Sequence, residues 1–444
     1  MHFWPLSSKW RHTYEQDPAT ICSVVNSTLT NISARLGSSL TVNTIISAIR
    51  RREVVHRLYL GDSCLGDSGC VRLFEFLSSP SALHCRNSLT ELFLTKNDIG
   101  ARGLLAVAAF LRNNSILREL CLSGNPLTTD PEVIAEFANA LNSSRLCTFQ
   151  ILHTTSLGDP FVRAFVPILS TPYLRQLDMS AINMTRAVVP ILADYVKSPR
   201  CRLERLQCNA NSLTLAGART VVNAIKEGNY TLWRVNLDDL HMDEHDGGAE
   251  MRTIIWQEGL RVLSAAVQRN LEHKVRIRDQ SLVLLRCCRA LFLRSGGSGA
   301  GAFPLVSGYD RNSRSLHPLS PFFHLPVELQ LEVISCLAPS LSHQQRMRIV
   351  CFAIDIATLP ELGYKLDAAL GRGRNRENFS RTRRGKRPTS QPLDLEGTWR
   401  PPTWWECRCP IEVRANCSCL RRWRQEMRDM WLTLVGCDAY EPAH

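Results

Sequence analysis

The sequence predicts an α/β fold of the solenoid kind, in which one strand-plus-helix unit recurs along the chain and stacks on its copies into a horseshoe. Three observations carry that expectation. An apolar residue followed three and five positions later by two more recurs in phase. An asparagine recurs three positions beyond the last of them, at Asn97, Asn125 and Asn211. Stretches with helix-like apolar spacing then fill the interval before the next copy.

The in-phase pattern is that of a leucine-rich repeat. Its copies are Val55-Leu58-Leu60, Leu89-Leu92-Leu94, Leu117-Leu120-Leu122, Leu146-Phe149-Ile151, Leu174-Leu177-Met179, Leu203-Leu206-Cys208 and Leu232-Val235-Leu237. Successive starts lie 34, 28, 29, 28, 29 and 29 residues apart, a phase that scattered leucines do not keep. The period of two inside each copy puts its apolar side chains on one face of a short strand. The asparagine can satisfy backbone groups where the chain turns away. Segments 103–111 and 216–225 then read as helices. The longer first interval fits an insertion near Ser78-Ser79-Pro80-Ser81.

Leu65-Gly66-Asp67-Ser68-Gly69-Cys70 and Asn97-Asp98-Ile99-Gly100-Ala101-Arg102-Gly103-Leu104 resemble the N-x-I/L-G-D-x-G-x-x-x-L signature of the ribonuclease-inhibitor-like superfamily. The superfamily includes the ribonuclease inhibitor and the Ran GTPase-activating proteins. The resemblance spans roughly residues 54–240 and implies a horseshoe of about seven repeats that binds protein partners. A solenoid exposes apolar surface at its ends. Residues 1–53, with Val42, Ile45, Ile46 and Ile49 at helical spacing, are expected to form a helical N-terminal cap. Residues 241–294, with Ile254, Leu260, Leu263, Val267, Leu282, Leu285 and Leu291, are expected to form a helical C-terminal one.

In such a fold the residues between the core leucines line the concave face. They read Arg57 and Tyr59, Glu91 and Phe93, Glu119 and Cys121, Thr148 and Gln150, Gln176 and Asp178, Arg205 and Gln207, Arg234 and Asn236. The signs are mixed, which fits a protein partner. Tyr59 and Phe93 are neighbouring aromatics of the kind that anchor interfaces, unless the N-terminal cap covers one of them.

Composition bounds the rest. The 444 residues, 44% hydrophobic and 21% charged, suffice for two or three packed units. The formal net charge is +12, but Arg372, Arg374, Arg376, Arg381, Arg383, Arg384, Lys386 and Arg387, against Glu377 alone, account for +7 of it. Local basicity of that kind argues against a general nucleic-acid binder. The N-terminal residues lack a basic and then apolar leader, and the apolar run 104–111 is too short to cross a bilayer. A cytoplasmic or nuclear location, without secretion, is therefore expected. There the 17 cysteines read as buried thiols rather than disulfides.

Beyond a Gly/Ser-rich linker at 295–320 lies a helix-forming stretch at 321–369. Leu325, Pro326, Glu328, Leu329, Ile334, Leu337, Val350 and Cys351 resemble the L-P-x-E-L, I-x-x-x-L and V-C positions of an F-box. That resemblance implies docking to the Skp subunit of an SCF ubiquitin ligase. The usual tryptophan after V-C is replaced by Phe352-Ala353, and the box follows the repeats instead of preceding them. An ordinary helical hairpin packed on the repeat cap is the other reading. The order of parts, with the ending Val435-Gly436-Cys437-Asp438-Ala439-Tyr440-Glu441, resembles fungal ribonuclease-inhibitor-like proteins.

Residues 370–403 read as a basic disordered segment: a nuclear import signal, a non-specific polyanion patch or a solvated linker. Residues 404–444 read as a Cys/Trp-rich helical tail. Its Cys407, Cys409, Cys417 and Cys419 are either four zinc thiolates or packed reduced thiols, the C-x-C spacing being tight for a zinc knuckle. His241, Asp243, Glu244, His245 and Asp246 form a polar cluster that reads as an exposed loop or a metal site. No phosphate loop, nucleophile elbow or zinc-protease motif is present. No cofactor is expected. The function implied is a protein-interaction scaffold, with an F-box-type substrate receptor as its sharper form. A regulator of a small GTPase of the Ran type, built on the same repeats, is the alternative.

Overall fold

The computed structural model describes residues 28–30, 38–52, 54–238, 249–292, 321–355, 358, 425 and 428–441. They divide into two units, Met1–Lys274 and Val275–His444.

The first unit holds an open parallel sheet whose strands are paired in sequence order. They are β1 Thr28–Thr30, β2 Arg57–Tyr59, β3 Glu91–Phe93, β4 Glu119–Cys121, β5 Thr148–Gln150, β6 Gln176–Asp178, β7 Arg205–Gln207 and β8 Arg234–Asn236. The in-phase pattern predicted β2–β8, and each of these strands is centred on the middle residue of its copy. Register is constant: Leu58, Leu92, Leu120, Phe149, Leu177, Leu206 and Val235 face one another strand to strand. That row, with its flanking core leucines, packs against helices α1 Ser38–Arg50, α2 Gly66–Ser78, α4 Ala101–Leu111, α5 Pro131–Asn142, α6 Gly158–Phe165, α7 Val189–Lys197 and α8 Thr214–Gly228. The insertion in the first repeat is a 3-10 turn, Pro80–Ala82, followed by the short helix α3 Leu83–Arg86.

The asparagines do what their position predicted. Asn125 is buried; its side chain accepts from the backbone N–H of Asn97 (2.7 Å) and Ile99 (3.2 Å) in the preceding repeat. It also donates to the carbonyls of Leu94 and Leu122, both at 2.8 Å. Asn97 and Asn211 repeat the arrangement. Each asparagine thus satisfies buried backbone groups in two repeats at once. A second staple lies at the helix starts. Asp67 accepts from Gly100 N (2.7 Å) and Gly103 N (2.8 Å), which begin α4 of the next repeat. Only glycine fits at 103, since a Cβ there would stand 2.8 Å from the Asp67 carboxylate and 2.7 Å from Ile99.

At the N-terminal end α1 buries Val42, Ile45 and Ile49 and half-buries Ile46, and β1 adds a strand in front of the first copy. At the other end lies the long helix α9, Ala249–Phe292. Its first half contributes Leu263 and Ala266 to the repeat core. There Arg269 donates to the C-terminal carbonyls of Lys226 (2.8 Å) and Asn229 (2.6 Å), capping α8. Ile254 and Leu260, apolar at helical spacing, are exposed.

In the second unit Ile277, Leu284 and Cys288 of α9 share a core with Ile334, Ile349, Val350 and Ala353 of the helices α10 Val327–Leu337 and α11 His343–Ile354. Trp431, Leu432, Val435 and Cys437 complete it. The stretch 428–434 is helical. The segment after it closes over α11. Gln345, fully buried, donates to the carbonyls of Gly436 and Ala439, each at 2.8 Å. Arg348 donates to Val435 O (2.8 Å) and to Glu441 (2.7 Å), and Ser342 donates to Glu441 (2.8 Å). Gly436 has φ +64, and a Cβ on it would stand 2.8 Å from the Arg348 guanidinium.

Candidate functional site

Each strand turns two residues away from the helices, and the constant register stacks them into two parallel columns on the free side of the sheet, about 4.8 Å per step. Arg57, Tyr59, Glu91, Phe93, Glu119, Gln150, Gln176, Arg205, Gln207, Arg234 and Asn236 are all half-buried there. Asp178 and Cys121 are buried in the same columns. Asp178 accepts from Ser180 N at 3.0 Å, and burial raises its carboxyl above the ordinary range.

The β2–β4 end is aromatic and acidic. Tyr59 and Phe93 pack ring to ring with centroids 4.6 Å apart. Arg57 Nε donates to Glu91 Oε1 at 3.0 Å, and the Tyr59 hydroxyl donates to Glu91 Oε2 at 2.9 Å. Burial, then the Glu91 charge, raises the Tyr59 hydroxyl further above its ordinary value. Glu119 is the register partner of Glu91. Burial first, and the Glu91 charge second, push its carboxyl up to about 7, against the opposing pull of Arg57.

The β7–β8 end is cationic and holds a cluster that the sequence reasoning missed. The Arg205 guanidinium lies over the Trp233 ring, 4.9 Å from its centroid. Trp233 Nε1 donates to Glu204 Oε2 at 3.0 Å. Glu204 also pairs with Lys274 of α9 and, at 3.7 Å, with Arg175. Glu204 and Trp233 sit one place before Arg205 and Arg234, a column that the alternation of outward residues does not mark. Nor does it mark Lys274, 70 residues from Glu204.

The F-box-like positions separate. Ile334 and Val350 are buried in the second core, Leu325 and Leu337 are half-buried, and Pro326, Glu328, Leu329 and Cys351 are exposed. Cys407, Cys409, Cys417, Cys419 and the cluster 241–246 lie outside the described residues, as do the linker and the basic segment. Among the described residues no group of His, Cys, Asp and Glu has the makings of a metal site. The cysteines there are free thiols. Burial pushes Cys70, Cys85, Cys288 and Cys437 up to about 12, which leaves them unreactive near neutral pH. No helix among the described residues is long and apolar enough to cross a membrane.

No protein-family profile matches the chain. Similarity to curated proteins falls on leucine-rich-repeat relatives. NACHT, LRR and PYD domains-containing protein 4C of Mus musculus is 25% identical over 239 residues, covering 52% of this chain and 23% of the relative. Protein 3 of the same series, from Bos taurus, is 25% identical over 194 residues, 43% of this chain and 18% of its own length. Protein 5, from Mus musculus, is 26% identical over 160 residues, 35% of this chain and 14% of its own length. The repeats are leucine-rich repeats. The chain thus spans less than a quarter of the length of these relatives. Neither the F-box resemblance nor the fungal one gains support from these comparisons.

Proposed function

We propose that this chain is a protein-interaction scaffold: a horseshoe of the ribonuclease-inhibitor kind, with no catalytic centre of its own, that seats a protein partner on the free face of its sheet. One observation carries the reading. The two columns on that face hold aromatic, acidic, amide and cationic side chains in fixed register on a hydrogen-bonded sheet. This is a rigid, chemically varied surface of the kind that gives interfaces their anchors. The test compares proteins recovered by proximity labelling around the full chain with those around a variant carrying Phe93→Ala, Gln150→Ala, Gln176→Ala and Gln207→Ala. The proposal expects a defined set of proteins to be lost with the fold unchanged by circular dichroism. An identical set would contradict it.

A second reading, docking to a ubiquitin ligase through the F-box-like helices, is favoured by one observation. Leu329, Val333 and Cys336 form an exposed stripe on α10, continued by its N-cap residue Pro326, with Leu329 50% and Val333 39% exposed. Retention of the Skp subunit by the full chain, and its loss in Leu329→Asp, would support this reading; no retention would remove it. No observation among the described residues favours the GTPase-regulator reading.

A further inference from the structure

The β2–β4 end of the free sheet face is chemically unbalanced. Glu91 and Glu119 stand side by side in register on β3 and β4. Like charges placed directly opposite destabilise a sheet. One cation, Arg57, faces them, and it is committed to Glu91 at 3.0 Å, as is the Tyr59 hydroxyl at 2.9 Å. Neither a hydrogen bond nor an ion pair engages the Glu119 carboxylate among the described residues. On the same face, two residues further along the strands, Tyr59 and Phe93 form an aromatic wall.

A partner that covers this end must take more water from the Glu119 carboxylate. An apolar or acidic partner would deepen an existing penalty, because a buried carboxylate is tolerated only when paired. A cationic side chain reverses the sign. It pairs Glu119, relieves the repulsion from Glu91, and lies within reach of two aromatic faces that attract cations. The remaining half of the face differs in charge, since Arg205 and Arg234 lie on β7 and β8, about 14 Å and about 19 Å beyond β4 at 4.8 Å per strand.

Building on the scaffold reading above, we propose that the protein partner places an arginine or lysine side chain between Glu91 and Glu119, against the Tyr59–Phe93 pair. The groups facing Glu119 are Glu91 from β3 and Arg57 and Tyr59 from β2, while β5 presents the uncharged Thr148 beside it. The cation needs the ionised carboxylate, so binding tightens as pH rises through about 7, where Glu119 loses its proton.

The experiment selects a displayed random heptapeptide library on the full chain, then measures the affinities of the enriched peptides for wild type, Glu119→Gln and Phe93→Ala. The expected result is enrichment of peptides with arginine or lysine beside an aromatic or aliphatic residue. Binding should weaken at least about tenfold in Glu119→Gln and lose its tightening between pH 6 and pH 8. Glu119→Gln should not lower the melting temperature, which separates loss of binding from loss of fold. Enrichment of acidic or neutral peptides that still respond to Phe93→Ala overturns the cation assignment and leaves the scaffold reading standing. Peptides indifferent to both substitutions, or no enrichment at all, overturn both.

Discussion

The two units hold themselves together by different rules. In Met1–Lys274 each element touches the next copy of itself, and the same contact recurs: a core leucine over a core leucine, an asparagine stapling two turns, an aspartate capping the following helix. In Val275–His444 the decisive contacts happen once and join distant residues, such as Gln345 with Gly436 and Ala439, or Arg348 with Glu441. A repeated contact leaves a period in the sequence. A single one does not. The difference also assigns labour: the regular unit can present an ordered face of chosen side chains, while the other is specified by individual clasps.

The staples carry the largest expected effects. Asn125→Ala removes one side chain that serves four backbone groups in two repeats, so it should cost about 3 kcal/mol or more in the unfolding of the first unit. Denaturant unfolding with separate probes for the two units should show the second transition unmoved. Gln345→Ala should cost about 2 kcal/mol, because it orphans the carbonyl of the buried Ala439, takes the side-chain acceptor from Ser342 N–H and leaves the Gly436 carbonyl only a 3.5 Å contact with Arg348. Hydrogen exchange should then show lost protection over 428–441, with the repeats unaffected. Equal loss in both units would refute the division.

A smaller effect concerns pH. Glu119 carries a raised folded-state value of about 7 against an ordinary 4.5, so the folded state holds the proton more tightly than the unfolded state. Stability should therefore fall as pH rises from about 4.5 to about 7, by about 1–2 kcal/mol once solvent screening is allowed for. In Glu119→Gln that portion of the slope should vanish, as read by melting at a series of pH values. Smallest of all, Arg112→Ala breaks an ion pair whose side chains are 56% and 46% exposed, and should shift stability by less than about 0.5 kcal/mol. A shift above 1 kcal/mol would mean that this surface contact does more than its geometry shows.

What was legible follows the same division. The strands β2–β8 were readable because a period of two inside a period near 29 has one economical burial pattern. The asparagines were readable because backbone satisfaction demands that residue type. β1 was not. Leu29 is buried in it, but its flanks, Asn26 and Asn31, lack the apolar neighbours of the pattern. That strand forms because the edge of β2 offers free hydrogen-bonding groups, a tertiary cause. Ile254 and Leu260 misled in the opposite direction: helical spacing permits burial but does not supply a neighbour.

On the candidate face the outward residues were readable by alternation, and their chemistry was not. That Arg57 and Tyr59 both serve Glu91, leaving Glu119 to Arg57's long-range attraction alone, depends on side-chain reach across strands. That Lys274 joins Glu204 depends on where α9 returns along the repeats. In the second unit the Val435–Glu441 ending was visible as a motif without a purpose, and the structure gives it one: it is the clasp over α11.

The scaffold reading is tested most directly by hydroxyl-radical footprinting of the full chain, with and without a peptide selected on it. The bound peptide should lower oxidation of Tyr59 and Phe93, leaving Phe76 of α2 and Tyr195 of α7 unchanged. Protection on the helix side, with Tyr59 and Phe93 oxidised as before, would contradict that reading.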